Sequence, residues 1–352
     1  MKHKIAVIHG GDISGYLRVT HPFEYAEDSL LGGNDFEYIP MIGFPARETW
    51  NDYYAFIIQR PLFNCFSTIE SIKKLNKPVI IDLDDKFPVN AEHHQNDLYG
   101  NISPIVRELY KCIEICDGLT VSTNALYEFY QSKFKRKFIQ NIPNVLSTEH
   151  ITKFPLSHID KDKFNILWVG TDSHFDNFQL VKPHVEDFLE DYPNAHLTMI
   201  SPLTVKDIIK KSSLEKQITC FEFIPLQDYL GIHYQFDVCI VPLVKNDFND
   251  CKSEIKILEA ARHSVPVIVS KHPAYDNFLH KCGSSYFKQI PNDLEKQYQW
   301  YTRLRDAYHY GHSLNGMIAY KVLRDDYNMQ HWNNVRHNFV NFCVRRFYES
   351  IG

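Results

Sequence analysis

The chain has 352 residues, which is enough for two domains of ordinary size, each with its own core. Hydrophobic residues make up 44% of it and charged residues 23%, as in soluble globular proteins, and no apolar stretch approaches the roughly 18 residues of a membrane span. The net charge of −5 argues against a general attraction to nucleic acid or anionic membrane. Because the amino terminus also lacks the apolar core and cleavage site of a signal peptide, we expect a cytoplasmic protein.

Strand and helix patterns alternate through the first half of the chain. Short apolar runs predict buried strands at 4–10, 54–60, 78–85 and 118–122. Amphipathic patterns predict helices at 66–76, 103–116 and 123–134. Thr123 or Asn124 is suited to be the N-cap of the last helix. A further extended segment at 137–146 closes this half.

A second alternating series starts at about residue 163. Its predicted strands lie at 164–171, 195–201, 218–224, 236–244 and 266–270. Its predicted helices lie at 178–192, at 204–213, at 226–235 and from about Ser253 onward. The tail from about residue 329 has the pattern of one long helix.

This alternation predicts an α/β protein. Continuous apolar strands between amphipathic helices are typical of parallel sheets that are covered on both faces. Two such series indicate two facing, doubly wound Rossmann-like domains, joined near 147–163, with a cleft between them. We place the first domain at 1–155 and the second at 156–328, and expect the helix at about 329–352 to pack back on the first.

Ligands of open parallel sheets bind at the carboxyl ends of the strands, so the strand ends hold the candidate site residues. In the first domain, "HGGDISGYLR" follows the first strand, and it contains Gly11 and Arg18. The glycines allow close approach of a ligand, but the spacing is neither GxGxxG nor a P-loop, and a plain tight turn explains them equally well. Gly11 and Arg18 are therefore candidates for nucleotide binding.

Three carboxylates crowd the end of the strand "PVIIDLDD". Alternation places Asp82 and Asp84 on the same side of the strand and leaves Asp85 in the loop. Such a group could bind a metal, act as a general base or accept hydrogen bonds from substrate hydroxyls. Helix capping and solvation account for one or two of the three acids.

Two more strand ends belong to the second domain. After the first strand there, Gly170 and Thr171 could approach a phosphate, with His174 at the same edge, although helix capping is an alternative for these polar residues. In "DCKSEIKILEAA", Lys252, Ser253 and the free N–H groups of a helix form a candidate diphosphate site. Glu259 lies further along this helix among apolar neighbours, where it could bind two ribose hydroxyls.

The remaining features have simpler interpretations. The eight cysteines are scattered, mostly in apolar contexts and without zinc-ligand spacing, which predicts buried free thiols and no metal site. The basic run "KFKRK" at 133–137 is interpreted first as a solvated helix end.

The segment "FDVCIVPLV…KSEIKILEAARHSVPVIVS" resembles the donor-binding segment of nucleotide-sugar-dependent glycosyltransferases with the GT-B fold. "GYLRVTHPFEYA" and "IIQRP…VIIDLDD" are similar to a bacterial and phage branch of these enzymes, close to the retaining glycosyl transferases group 1. The resemblance covers about residues 5 to 280. It implies that Glu259 holds the ribose, that Lys252 and Ser253 meet the phosphates, and that the backbone near Phe223 and Ile224 recognises the base.

Two departures from the family pattern bear on the chemistry. The acid that many retaining members carry eight positions before Glu259 is Cys251 here, so that sugar contact is either changed or supplied by a neighbour such as Asp250. The usual Arg and Lys after the first strand of the second domain are missing. Neutralisation of the phosphate charge would then depend on Lys252, His174 or Arg18.

The resemblance implies an enzyme that moves a hexose or pentose from a nucleoside-diphosphate sugar, most readily a UDP-sugar, to a hydroxyl acceptor. No tightly bound cofactor is implied. Retention would use the diphosphate to deprotonate the acceptor, whereas inversion would need Asp84 or Asp85 as the base. The acceptors that the resemblance implies are a glycan, a lipid-linked sugar or, as in phage enzymes acting in host cytoplasm, a hydroxymethylated DNA base. A GT-B epimerase or phosphorylase and a nucleotide-sugar-binding protein without turnover are the alternatives.

Overall fold

A computed structural model describes residues 2–24, 36–62, 65–87, 102–149, 151, 153–171, 174–201, 212–222, 224–283, 288–311 and 313–352. These residues form two six-stranded sheets in which the neighbouring strands run parallel. Helices flank the sheets, as an α/β protein requires. The predicted fold class is therefore confirmed.

The first sheet has the strand order β2-β1-β3-β4-β5-β6. Its strands are β1 His3–His9, β2 Phe36–Ile42, β3 Ala55–Gln59, β4 Val79–Leu83, β5 Gly118–Val121 and β6 Ile139–Asn141. The central strands β3 and β4 are buried along their whole length, which explains why their sequences are nearly continuous apolar runs.

The second sheet has the order β12-β11-β10-β7-β8-β9. Its strands are β7 Phe164–Val169, β8 Ala195–Ile200, β9 Ile218–Phe221, β10 Val238–Val241, β11 Val267–Ser270 and β12 Lys288–Ile290. Counted from β7 as the first strand, this is the 3-2-1-4-5-6 order of a Rossmann sheet.

The helices connect and cover these strands. We number them α1 (Ile13–Gly15, a π-helical turn Tyr16–Thr20, and His21–Glu24), α2 Cys65–Lys74, α3 Ile102–Ile115, α4 Asn124–Lys133, α5 Phe175–Asp191, α6 Leu226–Tyr229, α7 Ile255–Arg262, α8 Pro273–Cys282, α9 Gln299–Tyr310, α10 Ser313–Asp326 and α11 Met329–Ile351. Short 3-10 helices occupy Arg47–Asp52, Ser212–Gln217, His233–Gln235, Asn249–Cys251 and Leu294–Lys296. Thr123 caps α4 by accepting a hydrogen bond from the Leu126 N–H.

The long helix α11 packs on the first sheet although it follows the second in sequence. Its residues Phe339, Val340, Cys343 and Val344 share a buried cluster with strands β1 to β4. Tyr348 donates a hydrogen bond to the carbonyl of Tyr54, at 3.0 Å. The chain therefore crosses back to its amino-terminal half at the end.

The structure differs from the sequence analysis in several elements. Strands β2 and β12, which are both edge strands, were not predicted, and neither were helices α8, α9 and α10. The helix predicted at 226–235 is instead α6 followed by the 3-10 helix at 233–235. Helix α7 begins at Ile255 rather than near Ser253, because Lys252 is still extended, with φ −68° and ψ 156°. Most of the helix predicted at 204–213 lies outside the described residues.

All eight cysteines are free thiols, and six of them are buried, as predicted. Within the described part of the chain, no helix combines the length and the apolar character needed to cross a membrane.

Each sheet has a point where the strand order reverses, and there the connections leave on opposite sides and open a crevice. In the first sheet this point lies between β1 and β3, and in the second between β7 and β10. The topology therefore directs attention to the carboxyl ends of these four strands.

Candidate functional site

The end of β1 leads directly into the start of α1. Gly11 has φ +83°, a left-handed conformation that glycine adopts without strain, and its N–H donates to His9 Nδ1 at 3.1 Å. Asp12 then caps α1 by accepting a 2.6 Å hydrogen bond from the Gly15 N–H. The turn thus brings an exposed backbone segment to the crevice of the first sheet.

Arg18 lies beneath this turn and is almost fully buried, with 2% of its surface exposed. Its Nε and one terminal nitrogen donate to the two carboxylate oxygens of Asp82, at 2.9 and 2.6 Å. The other terminal nitrogen donates to the carbonyl of Ile142 at 2.6 Å and to Asn144 Oδ1 at 3.3 Å. The donors of Arg18 are therefore used inside the first domain, and the hydrogen bonds link Arg18 to Ser253 only through Asn144.

Asp84 and Asp85 lie at the end of β4 and share one arginine. Arg60, the first residue after β3, has its Nε 2.5 Å from Asp84 Oδ1 and forms an ion pair with Asp85. Ser14 also donates to Asp84, so Asp82 and Asp84 both face α1, as alternation predicts. Burial raises the pKa of Asp84 above its ordinary value, and the charge of Arg60 opposes that shift.

In the second domain, Gly170 and Thr171 follow β7, and His174 occupies the position before α5 at the same edge, without a side-chain capping bond. Gly170 is buried and Thr171 is exposed. His174 Nδ1 lies 3.0 Å from Asn177 Nδ2. Asn177 Oδ1 accepts a hydrogen bond from the Val244 N–H at 2.8 Å, so its amide nitrogen is the group that faces the histidine.

This arrangement fixes the tautomer of His174. Its Nδ1 accepts from Asn177, so the neutral ring carries its proton on Nε2. Burial lowers the pKa of His174 well below its ordinary value, and the charges of Lys256 and Lys252 add to the effect. The ring is therefore a neutral hydrogen-bond donor at physiological pH, beside two lysines.

The polar loop after β10 connects the two domains. Phe248 and Cys251 are buried in the core cluster of the first sheet, and Thr123 donates to the Cys251 carbonyl at 3.1 Å. Lys252 Nζ lies 3.5 Å from Asp85 Oδ1, and Ser253 accepts a 2.7 Å hydrogen bond from Asn144. Residues from both sequence-predicted strand ends therefore meet here.

Two lysines lie at the amino-terminal end of α7, where backbone N–H groups point outward and the helix dipole is positive. Lys252 and Lys256 are both half-buried. Burial lowers the pKa of Lys256, and the charge of Lys252 lowers it further, while Glu259 acts in the opposite direction. Lys256 makes no ion pair with any residue that the structure describes. Two close, partly desolvated cations at a helix amino terminus form a site for an anion.

Glu259 lies one turn further along α7 and has 4% of its surface exposed. Tyr229 donates a hydrogen bond to its Oε2 at 2.5 Å. In the described part of the chain, Oε1 has no hydrogen-bond partner. Burial raises the pKa of Glu259, while the charge of Lys256 and the bond from Tyr229 favour the ionised form. One acceptor oxygen thus stays available beside the anion site.

The residues named for the base and sugar contacts have different surroundings. Phe223 lies outside the described residues, and Ile224 is buried in the same core cluster as Tyr229. Cys251 is held in the core of the first domain. Asp250 is half-exposed, and its Oδ1 lies 3.2 Å from Nε2 of the buried His272.

The structure thus brings together Asp85, Lys252, Ser253, Glu259 and His174, whereas Arg18 contacts this group only through Asn144. Sequence reasoning missed Arg60, Lys256 and Tyr229. Arg60 directly follows the buried run "AFIIQ", and this position at a strand end was the signal that could have identified it. Within the described ranges, no group of three or more histidine, cysteine, aspartate or glutamate side chains is placed to hold one metal ion.

Solved structures share this architecture over the whole chain. A sucrose-phosphate synthase from Thermosynechococcus elongatus matches with a TM-score of 0.66 at 14% identity, over 99% of this chain and 100% of its own. Anabaena HepE, in complex with UDP and glucose, matches with a TM-score of 0.67 at 11% identity, over 96% and 99%. The chain has the GT-B fold.

A UDP-forming α,α-trehalose-phosphate synthase from Burkholderia xenovorans shares the GT-B fold with a TM-score of 0.60 at 10% identity, over 99% of this chain and 100% of its own. No family model and no curated protein matches at the level of sequence. The likeness therefore lies in the GT-B architecture with its two six-stranded parallel sheets.

Proposed function

We propose that the protein is a glycosyltransferase that moves a sugar from a UDP-sugar to a hydroxyl acceptor in the cleft between its two sheets. One observation carries the proposal. Lys252 and Lys256 lie at the amino terminus of α7, and the free oxygen of Glu259 lies one turn beyond them. A diphosphate and a ribose are the parts of a nucleoside diphosphate that such groups bind.

The structural neighbours support this donor class. HepE is described in complex with UDP and glucose, and the Burkholderia synthase is described as UDP-forming. Both share the GT-B fold with this chain over nearly its whole length. We therefore choose a UDP-sugar among the nucleotide sugars.

In the proposed reaction, the bond between the anomeric carbon and the β-phosphate oxygen breaks, and a bond to the acceptor oxygen forms. The acceptor proton passes to an oxygen of the departing diphosphate. Lys252, Lys256 and the helix N–H groups stabilise the charge that develops there. His174 adds a neutral N–H donor to the same edge.

We propose that this transfer retains the anomeric configuration. Inversion needs a free carboxylate base on the acceptor side, and Asp84 and Asp85 are the sequence-predicted candidates. Both form ion pairs with Arg60, so neither is the free carboxylate that inversion needs. Their function in this proposal is to accept hydrogen bonds from acceptor hydroxyls.

A glycan-type hydroxyl is favoured over a DNA base as acceptor. The basic run at 133–137 is partly engaged within the protein. Lys137 donates to the carbonyls of Glu114 and Cys116, at 2.9 and 2.6 Å, and Lys133 lies over the rings of Tyr110 and Phe129. A DNA acceptor would instead show a steep loss of apparent affinity with increasing salt.

The proposal is tested by incubating the protein with UDP-sugars, with and without mixed glycan acceptors, and measuring UDP release and products by mass spectrometry. We expect UDP release that acceptors accelerate. Lys256→Met should lower the rate about 10- to 100-fold, since a charge-assisted contact to the leaving group is worth about 1.5–3 kcal/mol. Lys216→Met, an exposed lysine of the same domain, is the matched control.

Other products would replace the proposal with an alternative. An epimerised UDP-sugar without UDP release would indicate an epimerase. Sugar 1-phosphate formed with inorganic phosphate would indicate a phosphorylase. Tight binding of a UDP-sugar with no product at all would indicate a binding protein.

A further inference from the structure

Tyr229 is a buried tyrosine whose hydroxyl contacts Glu259. Both residues have 4% of their surface exposed, and the hydroxyl donates to Oε2 at 2.5 Å. Tyr229 ends the short helix α6, which directly follows the segment at 223–225. The two residues are 30 positions apart in sequence, so this contact exists only in the folded second domain.

The hydrogen bond has a defined direction. Burial and the neighbouring carboxylate of Glu259 raise the pKa of Tyr229 well above its ordinary value, so the phenol keeps its proton. The carboxylate must therefore be the acceptor. With Oε2 committed to Tyr229, the carboxylate cannot rotate freely, and Oε1 is left to accept from an incoming group.

The tyrosine ring is itself held in place. His233 contacts it edge-on, with the ring centroids 5.4 Å apart and an interplanar angle of 76°. His263 anchors the next residue, with its Nε2 2.7 Å from the carbonyl of Leu230. A buried ring with a packing partner, on a backbone that is itself hydrogen-bonded, can impose one orientation on its hydrogen-bond partner.

From this geometry we infer that Tyr229 is a positioning residue that orients Glu259. In this orientation, Oε1 of Glu259 binds the ribose hydroxyls. The contact makes the site selective for ribonucleotides over dideoxyribonucleotides. The inference rests on the proposed function, because it requires a nucleoside diphosphate at α7. Tyr229 would act through Glu259 and would not contact the ligand itself.

The test compares the dissociation constants of UDP and 2′,3′-dideoxy-UDP by calorimetry. The wild type should bind UDP at least about tenfold more tightly, as expected when a charged acceptor loses its hydroxyl partners. Tyr229→Phe should weaken UDP binding about five- to tenfold and leave dideoxy-UDP binding unchanged. Tyr275→Phe is the matched control, since Tyr275 is equally buried in the same core cluster, and it should change neither constant.

A double-variant cycle separates positioning from packing. If Tyr229 acts through Glu259, adding Tyr229→Phe to Glu259→Ala should cause no further loss of UDP affinity. If the wild type prefers UDP and the folded Tyr229→Phe variant keeps the full preference, the proposed function stands while the inference about Tyr229 is overturned. An additional loss in the double variant would also overturn it. A wild type that binds no UDP would overturn the proposed function and this inference with it.

Discussion

Arg18 shows how a single buried charge is accommodated in this protein. Its guanidinium binds Asp82 through two hydrogen bonds and reaches the carbonyl of Ile142. Thr120 donates to the same carboxylate at 2.6 Å, so both members of the ion pair have additional partners. A buried pair of this kind is costly to break because the remaining charge stays in the interior.

We predict that Arg18→Met lowers the free energy of unfolding by about 3–5 kcal/mol, measured by urea denaturation, because it leaves Asp82 buried without its cation. Arg345→Met, an exposed arginine on α11, should have little effect. UDP binding of the folded variant should be unchanged, since the donors of Arg18 are used inside the first domain. A variant that folds normally but loses UDP binding would show that Arg18 belongs to the donor site.

His21 is a buried histidine from which we expect acid-sensitive stability. Its Nε2 accepts a hydrogen bond from the Ser147 N–H at 3.1 Å, so the folded state needs the neutral ring. Burial lowers its pKa from 6.5 to about 3, with a further contribution from the charge of Arg262. Between these two values the unfolded chain binds more protons, so this contribution is complete above the unfolded pKa and declines as the pH falls toward the folded one.

We therefore predict that His21→Gln flattens the dependence of unfolding free energy on pH between pH 6.5 and 4 relative to the wild type. Each pKa unit of difference corresponds to about 1.4 kcal/mol. Urea denaturation at several pH values measures the slope. His331→Gln, an exposed histidine, should keep the wild-type slope, and equal slopes for all three proteins would contradict the argument.

Among the elements, helix α11 has the most distant partners in sequence. Asn333 donates to the carbonyl of Pro22 at 2.7 Å, and its Oδ1 accepts from the buried Arg336, also at 2.7 Å. One side chain thus satisfies a backbone group of α1 and a guanidinium in the interior. This explains why a polar residue with 4% exposure lies on the apolar face of the helix.

Asn333→Leu should destabilise the protein by about 3 kcal/mol, because it leaves a buried carbonyl and a buried guanidinium without this partner. The neighbouring Asn334 is exposed on the same helix, so Asn334→Leu is a matched control that should cost less than about 0.5 kcal/mol. Thermal or urea unfolding distinguishes the two. Equal stability of both variants would show that α11 is not held by this contact.

The elements also show which parts of the fold a sequence can reveal. The interior strands β3, β4 and β7 are apolar runs that any period analysis finds. Strand β2 was missed because it contains Pro40, which a sheet tolerates at its edge, and because several of its residues are partly exposed and give no clear apolar run. Strand β12 spans only Lys288–Ile290, too short to show a pattern.

At the scale of the whole molecule, the loop after β10 ties the two domains together. Phe248 inserts into the core of the first sheet, while Lys252, four residues later, lies beside α7 of the second. Lys252 Nζ also lies 4.3 Å from the centroid of the Phe248 ring. A ligand that binds this loop should therefore change the stability of both domains.

We predict that UDP raises the unfolding temperature of both domains of the wild type. Phe248→Ala should lower the free energy of unfolding by about 3–5 kcal/mol. In this variant, UDP should raise the unfolding temperature of the second domain alone. Phe236→Ala, which removes an equally buried ring from the core of the second domain, is the control. Differential scanning calorimetry with and without UDP reads out both transitions. Coupled unfolding of Phe248→Ala in the presence of UDP would contradict the prediction.

The candidate site was only partly predictable for the same reason. Lys252, Ser253 and Glu259 occupy one continuous segment at a strand end, where the sequence order is also the spatial order. Arg60 and Tyr229 gain their functions from carboxylates 24 to 30 positions away, and no local pattern marks such a contact. Arg18 illustrates the reverse case, because its position suggested a ligand while its contacts are internal.

The most direct test of the donor site measures thermal stabilisation by UDP, GDP, ADP, CDP and TDP sugars in the wild type and in Glu259→Ala. Glu186→Ala, which removes another buried carboxylate of the second domain, serves as the control. We predict that UDP-sugars stabilise the wild type and the control, by about 2.7 kcal/mol at 100 times the dissociation constant, and that Glu259→Ala loses most of this shift. Stabilisation by none of the five classes, or an undiminished shift in Glu259→Ala, would contradict the assignment of the donor site to α7.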